Sequence, residues 1–176
     1  MSTSSAKMLV TVGQKYVCVK IAGRANFTSS IDFKTLVNEL MQKGYTYFVF
    51  DLRECTLMDS TFLGVLAGFG LKVNAPASDP KRVIELYNPN ARIADLLENL
   101  GVLHLFKVQQ GEVTVPEATA PLDHSTSAPS REEVTQNCLD AHRTLMDINP
   151  DNVARFKDVA AFLADDLKKM KSAAQG

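Results

Sequence analysis

The chain opens with two short runs of apolar and β-branched residues, MLVTV at 8–12 and YVCVKI at 16–21, each of which reads as a β-strand. Gly13-Gln14 between them predicts a tight hairpin turn, with Gly13 supplying the positive φ of a type II′ turn. The loop AGRANFTS follows, and then the period lengthens. Phe33, Leu36, Val37 and Leu40 share one helical face, Ser29 or Ser30 can cap that helix, and Gly44 closes it. YFVFDL at 47–52 is nearly all apolar, as a strand covered on both faces would be. A second helix is expected from about Ser60, a loop over NAPASDP at 74–80, and a strand over RVIELY at 82–87. Asn88-Pro89-Asn90 initiates a third helix that turns Ile93, Leu96, Leu97 and Leu100 inward and closes at Gly101. LHLFKV, 103–108, reads as the last strand.

A hairpin followed by repeated helix–strand units predicts an α/β fold. Its core is a small mixed sheet, with an opening hairpin and then parallel strands, packed with helices. This domain is expected over residues 1–109. Residues 110–130 are rich in Pro, Ser, Thr and small side chains and read as a linker, although EVTV within them has strand character. Residues 131–176 read as a pair of amphipathic helices. Ser130 and Glu133 fit a capping box, and Val134, Cys138, Ala141, Leu145 and Ile148 form one apolar stripe. Asn149 can cap the next helix with Pro150 in its first position, and Val153, Phe156, Ala160, Leu163, Leu167 and Met170 form a second stripe. Lys168, Lys169 and Lys171 complement the C-terminal end of its dipole. Two stripes need cover, either within the chain or as a homodimer or partner contact through these helices.

Composition narrows the function. The 176 residues carry a formal net charge of −1, which gives no electrostatic reason to expect nucleic acid or an anionic membrane as a partner. Apolar runs fall well short of the ~20 residues needed to span a bilayer. The first residues, MSTSSAKMLVTV, lack the pattern of a signal peptide, so a cytoplasmic protein is expected. Cys18, Cys55 and Cys138 are widely spaced, and His104, His124 and His142 show no ligand spacing, so neither a metal nor another cofactor is expected.

The chemistry-bearing stretch is MDSTFLG, 58–64. It follows an apolar strand and opens a helix, the place where α/β proteins set functional residues. Asp59 can cap that helix, with Ser60 and Thr61 in its first turn. A nucleophile would need a base and an oxyanion site, and neither G-x-S-x-G nor a phosphate-binding glycine loop is present, so no catalytic residue is assigned. Gly64, Ala67, Gly68 and Gly70 allow close helix packing, beside an apolar face of Phe62, Leu66, Phe69 and Val73. A hydroxyl switch does make physical sense here. Free N–H groups and the helix dipole tolerate a phosphate, whose charge of about −1.5 to −2 repels an acidic or apolar partner surface.

The stretch FVFDLRECTLMDSTFLGVLAGFG resembles the signature of STAS domains, in particular the bacterial anti-sigma factor antagonists. IAGRANFTSS and NARIADLLENLGVLHLFKV extend the resemblance over roughly residues 8–108. It implies the same element order and a binding module, not an enzyme. It also implies a partner that is both anti-sigma factor and serine/threonine kinase, and a PP2C-type phosphatase that resets the switch. The phosphorylated position corresponds to Thr61, with Ser60 as the alternative acceptor. Asp59, Ser60, Thr61, Phe62 and Leu63 are the implied partner-binding residues. Phe62 stands where the family usually has glycine, and the C-terminal helices exceed the usual ending. Both departures leave room for a phosphorylation-independent scaffold subunit of a lipid-transport or sensory complex.

Overall fold

A computed structural model of the chain describes residues 6–13, 16–75, 82–113 and 129–175. Strand β1 (Lys7–Val12) runs antiparallel to β2 (Tyr16–Ala25). The hairpin closes through the Gly13 N–H, which donates to the Tyr16 carbonyl at 2.7 Å. The register ends at Val12↔Val17, so Gly13 is the next paired residue, opposite Tyr16, and not the first turn residue as expected; residues 14 and 15 between them lie outside the described residues.

Strand β2 continues four residues past the expected end at Ile21, through what reads as a loop. Its extension pairs in parallel with a strand the local pattern does not announce, β4 (Cys55–Met58), through Gly23↔Cys55 and Ala25↔Met58. The register breaks between Gly23 and Arg24, and Gly23 takes φ +94°, a conformation open to glycine without strain. Because the strand runs so far, Asn26 caps α1 (Phe27–Gln42), not Ser29 or Ser30. Its side chain accepts from the Thr28 and Ser29 N–H groups, and the Ser29 hydroxyl oxygen accepts from the Asn26 N–H to complete a capping box. The helix ends as expected, with Gly44 at φ +91°.

Strands β3 (Tyr47–Asp51), β5 (Val83–Tyr87) and β6 (Lys107–Gln109) complete the main sheet in the order β1-β2-β3-β5-β6, parallel from β2 onward. The mixed sheet with an opening hairpin is therefore the predicted one. Helix α2 (Ser60–Val73) follows β4, and α3 (Ala91–Asn99), capped by Asn90, follows β5. Only the end of the expected strand over 103–108 is extended. Leu103–Leu105 forms a 3₁₀ turn that folds Leu105 and Phe106 against α2 at Gly70, leaving β6 to start at Lys107. The core is built from Val17, Val19, Phe33, Phe48, Phe50, Phe62, Leu66 and Leu86, among others.

The C-terminal region forms α4 (Arg131–Ile148), capped by Ser130, and α5 (Asp151–Ala174). The N-cap of α5 is Pro150, one residue later than expected, and the Asn149 side-chain oxygen accepts from the Asp151 N–H at 3.1 Å just before it. Of the two expected ways to cover the stripes, the structure shows the intrachain one. Leu145 is part of the main core, with Ile148 and Phe156 packed against it. Leu139, Ala160 and Leu167 form a second small core between α4 and α5. Val153, expected in the inward stripe, is exposed instead.

Asn152 pins the junction. It is fully buried, and its amide donates to the Leu100 and Leu145 carbonyls at 2.9 and 2.8 Å. Asn152→Ala orphans two buried acceptors, and we expect a loss of about 2 kcal/mol of stability, read from urea denaturation. An unchanged midpoint would exclude this role.

Candidate functional site

Asp59 sits where the ends of β2 and β4 meet the starts of α1 and α2. Its N–H donates to the Ala25 carbonyl at 2.9 Å, which fixes it beside β2. One carboxylate oxygen accepts from the Phe62 N–H at 2.8 Å and caps α2. The other accepts from the Phe27 N–H at 2.7 Å, the first residue of α1. One carboxylate thus serves two helix N-termini. Both bonds are charge-assisted and both dipoles favour the negative charge.

Ser60, Thr61 and Gly64 lie on a face of α2 different from that of Phe62, because successive helical positions turn by about 100°. That face meets α4. The Cys138 carbonyl can only accept, so His142 donates to it through Nδ1–H at 2.7 Å. In the neutral ring Nε2 is then the acceptor, and the Ser60 hydroxyl donates to it at 2.9 Å. Phe156 packs edge-on against the His142 ring, with centroids 5.0 Å apart. Thr61 is 5% exposed, and its hydroxyl lies 3.7 Å from the Cys138 sulfur as donor. Burial pushes the Cys138 thiol above its ordinary pKa, with a further contribution from the Asp59 charge and some relief from Thr61. Beside them the Asn137 amide donates to the Ser30 hydroxyl oxygen at 2.8 Å in a buried bond.

Gly64 gives the closest approach. A Cβ there would meet the Ala141 carbonyl oxygen and its Cβ at 2.7 Å. Beyond it, the same three helices line a cleft of about 340 Å³ with Lys34, Val37, Gly68, Lys72 and Asp140 on its walls.

The structure brings Asp59, Ser60 and Thr61 together as the sequence implies, and places Phe62 and Leu63 elsewhere. Both are fully buried in the core, so neither forms part of a surface. Phe62 packs on Phe33, with ring centroids 4.8 Å apart. The aromatic side chain exposed next to Asp59 is Phe27, at 47%. Sequence reasoning missed Phe27, Ser30, Asn137, Cys138 and His142 as site residues. The only local signal was that Cys138 and Ala141 share an apolar stripe; its target lay some eighty positions away.

A Ser–His pair invites a nucleophile reading, but its histidine is oriented by a peptide carbonyl instead of a carboxylate. Among the described residues no group of His, Cys, Asp and Glu could hold a metal ion, and no helix is long and apolar enough to cross a membrane.

A model of the STAS domain family matches residues 7–118. No curated protein matches the chain. Among solved structures, a Thermotoga maritima protein proposed to be an anti-sigma factor antagonist aligns with a TM-score of 0.52 at 18% identity, over 58% of this chain and 85% of its own. The anti-sigma factor antagonist SpoIIAA in its unphosphorylated form aligns at 0.50 and 17% identity, over 59% of this chain and 86% of its own. At these identities the likeness concerns the fold. The aligned share leaves room for the helical pair as an addition to it.

Proposed function

Because this chain belongs to the STAS domain family, we propose that it is a regulatory binding module of the anti-sigma factor antagonist kind, with no catalysis of its own. In this reading it acts in the cytoplasm and binds an anti-sigma factor that is also a serine/threonine kinase. That partner phosphorylates Thr61, or Ser60 as the alternative, and a PP2C-type phosphatase removes the phosphate.

The observation that carries the reading is the position of two adjacent hydroxyls in the first turn of α2, directly after the cap Asp59. A phosphate there meets free N–H groups and the positive end of the dipole, while its charge adds to that of Asp59. The partner contact in this reading is Asp59, Ser60 and Thr61, flanked by the exposed Phe27; Phe62 and Leu63 support it from the core. A homodimer through the helical pair would use the outward side of α5, where Val159 and Phe162 are exposed.

The test is phosphosite mapping after incubation of the full chain with ATP and a soluble extract of its host, alongside capture of partners. The expected result is phosphate on Thr61 or Ser60, and loss in Thr61→Glu of a kinase-like ATPase that the wild type retains. No phosphate on either hydroxyl, together with unchanged capture by Thr61→Glu, would overturn the proposal.

The burial of Thr61 supports a second reading, a phosphorylation-independent STAS scaffold. In that case the same capture returns transporter or sensory subunits, identically for wild type and Thr61→Glu.

A further inference from the structure

The surface around the start of α2 has an occupant, the chain's own α4. Each hydroxyl that marks this surface has a partner on that helix. Ser60 is paired with His142, Thr61 with Cys138 and Ser30 with Asn137. Between those contacts the two helices approach so closely at Gly64 and Ala141 that no side chain fits between them. Such a set of matched polar bonds and close packing resembles a partner interface more than an incidental contact.

The occupant is also a unit. Helices α4 and α5 share their own small core of Leu139, Ala160 and Leu167, with Met146 and Leu163 against it. They can therefore stay together on leaving the sheet domain, a step that withdraws Leu145 from the main core and breaks the Asn152–Leu100 bond. The chain joins them to the sheet domain through residues 110–130, whose sequence is rich in Pro, Ser and Thr. A tethered occupant competes at high effective concentration, so even weak docking suffices to close the site.

We propose that the α4–α5 pair is a built-in competitor for the surface at the start of α2: closed, it buries Thr61 and engages the half-buried Ser60 hydroxyl through His142, and opening presents both to kinase and partner. This inference rests on the switch reading above. It adds a regulatory step to that reading. The apparent affinity of any partner is lowered by the fraction of molecules that are closed. Thr61 is buried against α4, so a phosphate on it and closure exclude one another. A partner that takes the place of α4 with a helix needs a small residue opposite Gly64 and a hydrogen-bond acceptor opposite the Ser60 hydroxyl.

Two variants of the full chain separate the states. Gly64→Ala adds a methyl group whose nearest neighbours all belong to Ala141, so it pushes on α4 while favouring helix in α2. Gly68→Cys with Thr144→Cys places two thiols across the same interface, where a Cβ on Gly68 would lie 3.8 Å from the Thr144 methyl; oxidation locks the pair closed. Cysteine alkylation by N-ethylmaleimide, resolved by mass spectrometry, reports on wild type and Gly64→Ala. Cys138 lies in the interface, whereas Cys18 and Cys55 are buried in the sheet domain. We expect Gly64→Ala to raise the Cys138 alkylation rate at least tenfold while Cys18 and Cys55 stay unlabelled. In the wild type, amides of α4 and α5 should exchange with deuterium at least tenfold faster than those of β3 and β5. An unchanged Cys138 rate in folded Gly64→Ala would overturn the proposal. If that variant unfolds and exposes all three thiols, wild-type exchange decides, and α4–α5 amides that open only with β3 and β5 would overturn it.

Incubation with ATP and host extract then links closure to the switch. Phosphate should enter Gly64→Ala faster than wild type, and enter the disulfide-locked form only after reduction. Equal labelling of locked and reduced protein overturns the competitor and leaves the switch. No labelling of any form, with Cys138 freed as expected, overturns the switch and leaves the closed and open states.

Discussion

Phe62→Ala is expected to lower stability by about 3–5 kcal/mol, a large share of the about 5–15 kcal/mol that an ordinary domain has. The residue is fully buried and joins an aromatic cluster through Phe33. Its ring packs on Phe33 at 4.8 Å, and Phe33 in turn meets Phe50 at 5.2 Å, so α2, α1 and β3 share these contacts. Truncation removes the transfer free energy of the ring and leaves a cavity that three separate elements would have to move to fill. Urea denaturation followed by circular dichroism measures the effect, and Phe62→Leu should lose clearly less. A midpoint shift worth under about 1 kcal/mol in Phe62→Ala would place the ring outside the core. The prediction bears on function, because Phe62 directly follows the proposed acceptor. Two positions after Ser60 it points about 200° around the helix, into the protein, and so neither anchors a partner nor shields a phosphate.

The second large effect belongs to Asp59. Asp59→Ala removes the cap of α2 and the carboxylate that receives the first N–H of α1. With two charge-assisted bonds lost, one of them at an exposed position, we expect a cost of about 3 kcal/mol. Asp59→Asn should fall between. Its amide oxygen can still accept from Phe62, but its NH₂ group then faces the Phe27 N–H, two donors with no acceptor. Amide exchange provides the local check. Protection at Phe27 and Phe62 should fall together in Asp59→Ala, and loss at one without the other would contradict a shared carboxylate. Since the same residue orients the first turn of α2, the variant should also weaken any partner contact made through Ser60.

Helices were legible wherever their signals are local. The stripe Phe33, Leu36, Val37 and Leu40, the glycines at 44 and 101, and the cap Ser130 each act within a few residues, and each stands where the sequence places it; the third helix starts from the expected Asn88-Pro89-Asn90, with Asn90 as its cap. The central strands were legible for a related reason: a run such as YFVFDL has few options other than burial on both faces. Strand pairing is not local. Cys55–Met58 lacks a strand pattern of its own and becomes β4 because the extension of β2 lies alongside to pair with it. The same event moved the start of α1 from the serines to Asn26.

The motif divides along the same line. Asp59 as cap and Ser60 and Thr61 in the first turn follow from sequence, since capping is a short-range contest for backbone donors. The stripe on α4 likewise establishes that this helix must bury one face. What it buries that face against is a matter of shape, a glycine on α2 that admits Ala141 and hydroxyls spaced to meet His142, Cys138 and Asn137. Hydrophobicity has no direction, so sequence alone determines that the helical pair needs a partner. Only the tertiary structure, through close packing and hydrogen-bond geometry, decides that this partner is the start of α2.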